Sequence, residues 1–155
     1  MKRRILVSLV LCLFLVSSVY AQDGSIFGLR NKIFEEAKKI KDLAEAKNIV
    51  VVSSLWDTCL ITVMQLDAYR GMQDIFNYLK NKNEAKQAVD VLIDWLTQMK
   101  ATVEMNIRHL EPANLPVEKN LKMHMEVLKA YFSTLQLRID QELAGLTKPK
   151  KTVPK

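Results

Sequence analysis

The sequence predicts an all-α protein, an antiparallel up-and-down bundle of four helices. In the second half of the chain, apolar residues recur at alternating steps of four and three over more than three turns, the spacing of helix faces that pack on other helices. Neither of the two clearest segments shows the period of two that a half-buried strand gives. Four Gly and four Pro among 155 residues are too few for a loop-rich all-β protein, and the length suits one domain.

Residues 1–21 have the pattern of a cleaved secretory signal peptide. Basic residues 2–4 precede an apolar run, residues 5–16, that only Ser8 interrupts, and Ala21 supplies a small residue at the cleavage point. The apolar run is shorter than the roughly 20 residues of a membrane span. We therefore expect an exported protein, periplasmic or extracellular, whose helical domain covers residues 22–147.

The net charge of +6 belongs to the two ends of the chain. The full chain has 23 basic and 17 acidic residues; without residues 2–4 the count is 20 to 17, and without the tail, 148–155, it is 16 to 17. A nucleic-acid-binding domain needs a basic stripe on its folded surface, so we expect no nucleic-acid partner. We expect the Lys/Pro-rich tail to be disordered and to make a weak contact with an anionic envelope surface, at about 1 kcal/mol per lysine. The lysines of this tether are Lys148, Lys150, Lys151 and Lys155.

The first predicted helix runs from Ser25 to about Lys47, and only Asn48 separates it from the next apolar segment. A turn at Asn48 gives four helices, whereas a continuous helix gives the alternative, a three-helix elongated bundle with a long first helix. We favour four, because apolar stripes longer than 25 residues without caps are unusual in globular chains. The apolar face of the first helix comprises Ile26, Leu29, Ile33, Ala37, Ile40 and Ala44.

The second predicted helix, Val50 to Lys80, is apolar over a wide arc and is expected to be the most buried of the bundle. Asp57 and the shortness of its most apolar stretch exclude a membrane span. Gly71 lies inside it and indicates a kink or a close contact. Its apolar positions are Val52, Trp56, Cys59, Val63, Leu66, Tyr69, Met72, Phe76 and Leu79.

Residues 81–83 supply a turn before the third helix, and residues 111–116 form the clearest loop, with Pro116 suited to the first position of the fourth helix. Gly145 is a plausible stop for that helix. The third stripe comprises Ala85, Val89, Leu92, Leu96, Met99, Val103 and Leu110. The fourth stripe comprises Leu121, Met125, Leu128, Phe132, Leu135, Ile139 and Leu146.

Three residues are candidates for interaction. Asn106 interrupts the third stripe, and a polar residue in such a seam sets register or partner choice. Trp56 and Trp95 lie on the second and third helices, where aromatic side chains either fill the core or anchor an interface. Glu142 interrupts the fourth stripe near its end, where we expect it to face water.

The sequence lacks the residue patterns typical of catalytic and metal-binding sites. His109 and His124 are the only histidines, and neither has the Glu three residues earlier that a di-metal bundle requires. No C-x-x-C-H, P-loop or G-x-S-x-G sequence occurs. Cys59 lies on an apolar face, where a buried thiol is inert, and Asp90 and Asp94 fall opposite the third stripe. We expect no catalytic residue, no metal and no cofactor.

The sequence thus favours an exported non-enzymatic interaction or adaptor protein of the cell envelope or exterior, which presents helix faces to a protein partner or to itself. The alternative is a ligand-binding bundle with an apolar core cavity for haem or lipid, because Met-rich interiors adapt to ligands.

Overall fold

The computed structural model describes residues 25–47, 49, 53–81, 86–115 and 118–147. Within them the chain forms four α-helices and one 3₁₀ turn, and no strand. This confirms the predicted four-helix, all-α fold. The helices are α1 (Gly28–Glu45), α2 (Ser53–Asn81), α3 (Lys86–His109) and α4 (Lys119–Thr147), and the 3₁₀ turn is Pro112–Asn114.

The helices form a ring in which each packs on the next along the chain and α4 closes on α1. In every neighbouring pair, residues early in one helix meet residues late in the other, so adjacent helices are antiparallel. For example, Arg30 meets Asp67 and Lys41 meets Trp56 between α1 and α2. The other three pairs are fixed by Thr62–Asn106 and Gln65–Thr102, by Lys100–Asp140 and Glu104–Gln136, and by Ser25–Arg138 and Glu36–His124.

The predicted apolar stripes line the centre of this ring. All six predicted positions of the first stripe are buried. Burial also holds for the central positions of the others, while the start of the third stripe at Val89 and the end of the fourth at Leu146 are only half-buried. The buried members of the third and fourth stripes are Leu92, Leu96, Met99, Val103, Leu110, Leu121, Met125, Leu128, Phe132, Leu135 and Ile139.

Helix α1 ends where the four-helix prediction places a turn. The N–H of Ile49 donates to the carbonyl of Ala44 at 2.9 Å, a six-residue closure typical of helix C-termini. Helix α2 begins anew at Ser53, which excludes one continuous first helix.

Helix α4 begins at Lys119 under the side chain of Glu118. The Glu118 carboxylate accepts the backbone N–H of Leu121 at 2.5 Å and pairs with Lys47 Nζ at 2.9 Å. Both interactions hold its pKa below the ordinary value. Pro116, the predicted first position, lies outside the described residues, as do 82–83 of the predicted turn. The prediction for Gly145 is wrong: the helix passes through it and ends at Thr147, because a helical glycine near a terminus costs little.

Helix α2 is not the most buried helix, which corrects a second prediction. Of the seven large hydrophobic side chains exposed among the described residues, four belong to α2. The physical reason is that a helix at one side of a four-membered ring buries about half its circumference, whereas α2 carries apolar residues on its outer side as well as its inner side. These four residues are Ile61, Met64, Ile75 and Tyr78.

Candidate functional site

The outer face of α2 carries a second apolar stripe, directly opposite its core-facing side. Its positions alternate steps of three and four, which is the spacing of a coiled-coil seam. We call these six residues the outer stripe: Ile61, Met64, Ala68, Gly71, Ile75 and Tyr78. The exposed fractions of the four large members are 47% for Ile61, 68% for Met64, 61% for Ile75 and 59% for Tyr78.

The two central residues of the outer stripe have small side chains. Ala68 and Gly71 are its two smallest members, and a Cβ placed on Gly71 would meet no atom within 4 Å. Helix α2 continues through Gly71 to Asn81. Gly71 therefore serves no close contact within the described bundle, contrary to the prediction, and instead leaves room above the helix backbone for another chain to approach.

An apolar groove borders the stripe where α2 meets α3. It has a volume of about 190 Å³ and is lined by Met72, Ile75, Ala88, Val91 and Leu92. Val91 is 54% exposed. The groove extends the apolar surface of the outer stripe sideways onto α3.

The opposite edge of the stripe is charged but balanced. Arg30 donates to both carboxylate oxygens of Asp67, from Nε at 3.0 and 3.3 Å and from Nη2 at 2.7 Å. These hydrogen bonds lower the pKa of Asp67 and raise that of Arg30. Arg70 lies over the ring of Phe27 at 4.7 Å, and Asp74 is exposed nearby in sequence. Two cations and two anions thus lie along this edge.

The two tryptophans lie at different helix pairs. Trp56 is half-buried against α1, with its ring 5.8 Å from that of Phe34 and 5.3 Å from Lys41 Nζ. Trp95 of α3 donates its indole N–H to the carbonyl of Gln65 at 3.1 Å. Both therefore hold helices of the bundle together, and neither lies on the outer stripe.

Asn106 is fully buried between α3 and α2. Its Nδ2 donates to Thr62 Oγ1 at 3.0 Å and to the carbonyl of Thr58 at 3.3 Å, and the Thr62 hydroxyl donates to the same carbonyl. The Asn106 Oδ1 atom has no hydrogen-bond partner among the described residues. The structure therefore places this candidate inside the bundle, where it fixes the register of α3 on α2 rather than contacting a partner.

A buried carboxylate that the sequence did not reveal links α1 to α4. The side chain of Glu36 is 7% exposed, and its Oε1 lies 2.5 Å from His124 Nδ1 while Oε2 accepts from Lys39 Nζ at 3.1 Å. The only sequence signal is that Glu36 precedes Ala37 beside the first stripe. His124 is half-buried at the edge of the core.

Cys59, Asp90 and Asp94 lie on the faces of their helices that the sequence predicts. Cys59 is buried, and desolvation raises the pKa of its thiol to about 12, so the reactive thiolate is not formed near neutral pH. Asp90 and Asp94 are exposed. Across the described ranges, no three His, Cys, Asp or Glu side chains are grouped to hold a metal ion.

A second open groove, of about 250 Å³, lies at the start of α1 and the end of α4. Arg138 crosses it and donates to the carbonyl of Ser25 at 2.6 Å. Glu142, which we expected to face water, is half-buried and lines this groove. The groove has a mixed lining of polar and apolar residues, including the charged Arg138 and Glu142, so it offers a less apolar recognition surface than the outer stripe.

Two predicted segments lie outside the described residues: the signal peptide, 1–21, and the tail with its four lysines. None of the helices in the described residues is both long enough and apolar enough to cross a bilayer. Comparison with protein-family models, curated proteins and solved structures found no match. Among the described residues, the outer stripe is the feature that most directly points to a function.

Proposed function

We propose that the chain is an exported, non-enzymatic helical interaction protein of the cell envelope or extracellular space, which presents the outer face of α2 to a protein partner or to itself. The observation that carries this proposal is the outer stripe. Six positions with coiled-coil spacing lie opposite the core, and four of them expose large apolar side chains.

The energetic argument is that the stripe is not needed to build the bundle. The inner side of α2 already fills the ring with Leu55, Cys59, Val63, Leu66 and Tyr69. Contact with water leaves the stripe without the roughly 25 cal/mol per Å² that burial of apolar surface provides. Contiguous apolar surface of this kind marks interaction sites on soluble proteins.

Export is the part of the proposal that rests on sequence alone. The basic start, the short apolar run and Ala21 support cleavage before residue 22, and the four tail lysines support a weak contact with anionic envelope material. Mass spectrometry of the chain recovered from its native host tests this directly. An N-terminus at Gln22 supports export, and an intact N-terminus in a cytosolic fraction contradicts it.

The interaction is tested with matched glutamate substitutions. Ile75→Glu on the outer stripe and Leu137→Glu on α4 alter residues of similar exposure, 61% and 58%, on opposite members of the ring. The wild-type chain and each variant serve in turn as bait in an envelope or extracellular fraction. A wild-type copy of the chain with a different tag is added to each fraction.

We expect the wild type and Leu137→Glu to recover the same protein, and Ile75→Glu to lose it. Equal far-ultraviolet circular dichroism of the three baits shows that the fold is kept. Recovery that is unchanged by Ile75→Glu would contradict the proposal.

A further inference from the structure

The outer stripe has the same order of side-chain sizes from either end. Two large residues, Ile61 and Met64, are followed by the small pair Ala68 and Gly71 and then by two large residues, Ile75 and Tyr78. The midpoint lies between Ala68 and Gly71. Across a two-fold axis at this midpoint, residue i of one copy meets residue j of the other and j meets i, so large residues face large ones and the small pair faces the small pair.

We infer that the outer stripe pairs with the outer stripe of a second copy of this chain, antiparallel, about a two-fold axis between Ala68 and Gly71. This inference rests on the proposed function and names its partner. The pairing sets Ile61 opposite Tyr78 of the second copy and Met64 opposite Ile75 of the second copy. The small residues meet at the centre, where the two helix backbones approach closely over the open Gly71.

Charge favours this orientation over a parallel one. Asp57 is exposed one turn before Ile61, on the line of the stripe. An antiparallel pair places the Asp57 side chains of the two copies at opposite ends of the paired helices. A parallel pair would instead set Asp57 against Asp57. Antiparallel neighbours also set opposite ends of the helix dipoles side by side.

The charged edge tolerates the pairing. Asp74 approaches Asp67 of the second copy along this edge, but Arg30 already holds Asp67 in a two-pronged hydrogen bond, and Arg70 adds a second cation. The other edge of the stripe, which includes Met72 and the groove beside it, is apolar. Each copy therefore offers one neutralised edge and one apolar edge.

The size of the surface suits a modest dimer. Ile61 to Tyr78 spans about 26 Å at the usual helical rise. The exposed parts of these two residues, Met64, Ile75 and Val91 present on the order of 600 Å² of surface, most of it apolar, comparable to the largest apolar patch of a typical monomer. With the small residues at the centre, this approaches the roughly 800 Å² per partner of a standard interface.

Cysteine pairing in mixed samples tests both partner and orientation. Met64→Cys and Ile75→Cys are made separately in the full chain with Cys12→Ser, while Cys59 stays in place because it is 1% exposed. The variants are oxidised with glutathione, alone and as an equimolar mixture.

We expect at least about tenfold more disulfide-linked dimer in the mixture, because the two-fold pairing separates each introduced cysteine from its own copy by about 16 Å along the axis, beyond disulfide reach. Leu137→Cys mixed with either variant is the control and should stay unlinked.

Other outcomes overturn the inference. Equal linkage of each variant alone indicates a parallel pair. No linkage, with a sedimentation mass of 17.8 kDa at all concentrations, excludes a second copy. In a chain that keeps Cys12, a monomeric disulfide between Cys12 and Ile75→Cys identifies residues 5–16 as the segment that covers the stripe.

The inference and the proposed function fail separately. If the chain is monomeric but Ile75→Glu still abolishes recovery of a different protein, the self-pairing is wrong and the interaction proposal stands. If the chain is monomeric and Ile75→Glu changes nothing, both are wrong.

Discussion

The inner and outer faces of α2 carry similar residue types but differ in burial. The inner face, with Cys59, Val63 and Leu66, is buried in the ring, whereas Met64 and Ile75 on the outer face are more than 60% exposed. Both faces repeat at helical spacing. The difference teaches that apolar periodicity identifies residues that share a face, but the number of neighbouring helices decides which face they bury.

The largest effect is expected when one apolar side chain on each face of α2 is truncated to alanine. Leu66→Ala removes a side chain with no exposed surface and should lower the free energy of unfolding by about 2–5 kcal/mol through lost burial and a cavity. Ile75→Ala should change it by no more than about 0.5 kcal/mol in the monomer. Urea denaturation at low protein concentration measures both, and equal losses would show that the two faces are not inner and outer.

The inner face also has a polar contact, which makes a second test. Asn106→Ala removes the hydrogen bonds to Thr62 and Thr58 and should cost about 1–3 kcal/mol. Replacing both partners, Asn106→Leu with Thr62→Val, should be nearly neutral or stabilising, because it also removes the unpaired Asn106 Oδ1. A double variant as unstable as Asn106→Ala in urea denaturation would contradict this account.

The same comparison of a buried with an exposed position can be made on α1, where two glutamates are neighbours in sequence. Glu36→Gln weakens the contacts with His124 and Lys39 and should cost about 1–2 kcal/mol, because charged hydrogen bonds to a buried group are involved. Glu35→Gln, at an exposed position, should stay within about 0.5 kcal/mol. Thermal unfolding at pH 7 compares the stability of the two variants. Equal losses of stability would contradict a stabilising role for the contacts of Glu36 with His124 and Lys39.

The smallest effect is expected at the edge between the two faces. Because half of Asp67 is exposed, Asp67→Asn should cost only about 0.2–1 kcal/mol at pH 7. Arg30 lowers the pKa of Asp67 from 3.8, so this stabilisation is complete above that value and is lost as pH falls through the lowered pKa. The denaturation midpoints of the wild type and of Asp67→Asn should therefore converge between pH 7 and pH 2. A gap that stays constant with pH would show that the stability difference does not come from the ionised Asp67.

Sequence reasoning predicted most of the fold because α1, α3 and α4 each have one apolar face. Their stripes, the turn after α1 and the buried Cys59 follow from spacing alone. It identified the docking face of α2, with Cys59, Val63 and Leu66, but failed in expecting α2 to be the most buried helix, since no helix of the bundle covers its outer apolar residues. The pairing of Glu36 with His124 joins residues 88 positions apart, so only the closed ring reveals it.

The most direct test of the outer stripe as an interface is methionine oxidation in the native setting. In the isolated bundle Met64 is 68% exposed and Met123 on α4 is 54% exposed, so peroxide should oxidise Met64 at least as fast. In the native envelope or extracellular fraction, we predict that Met64 becomes several-fold slower to oxidise than Met123, because a helix of another chain covers it. Met64 oxidised as fast as Met123 in that fraction would contradict the account.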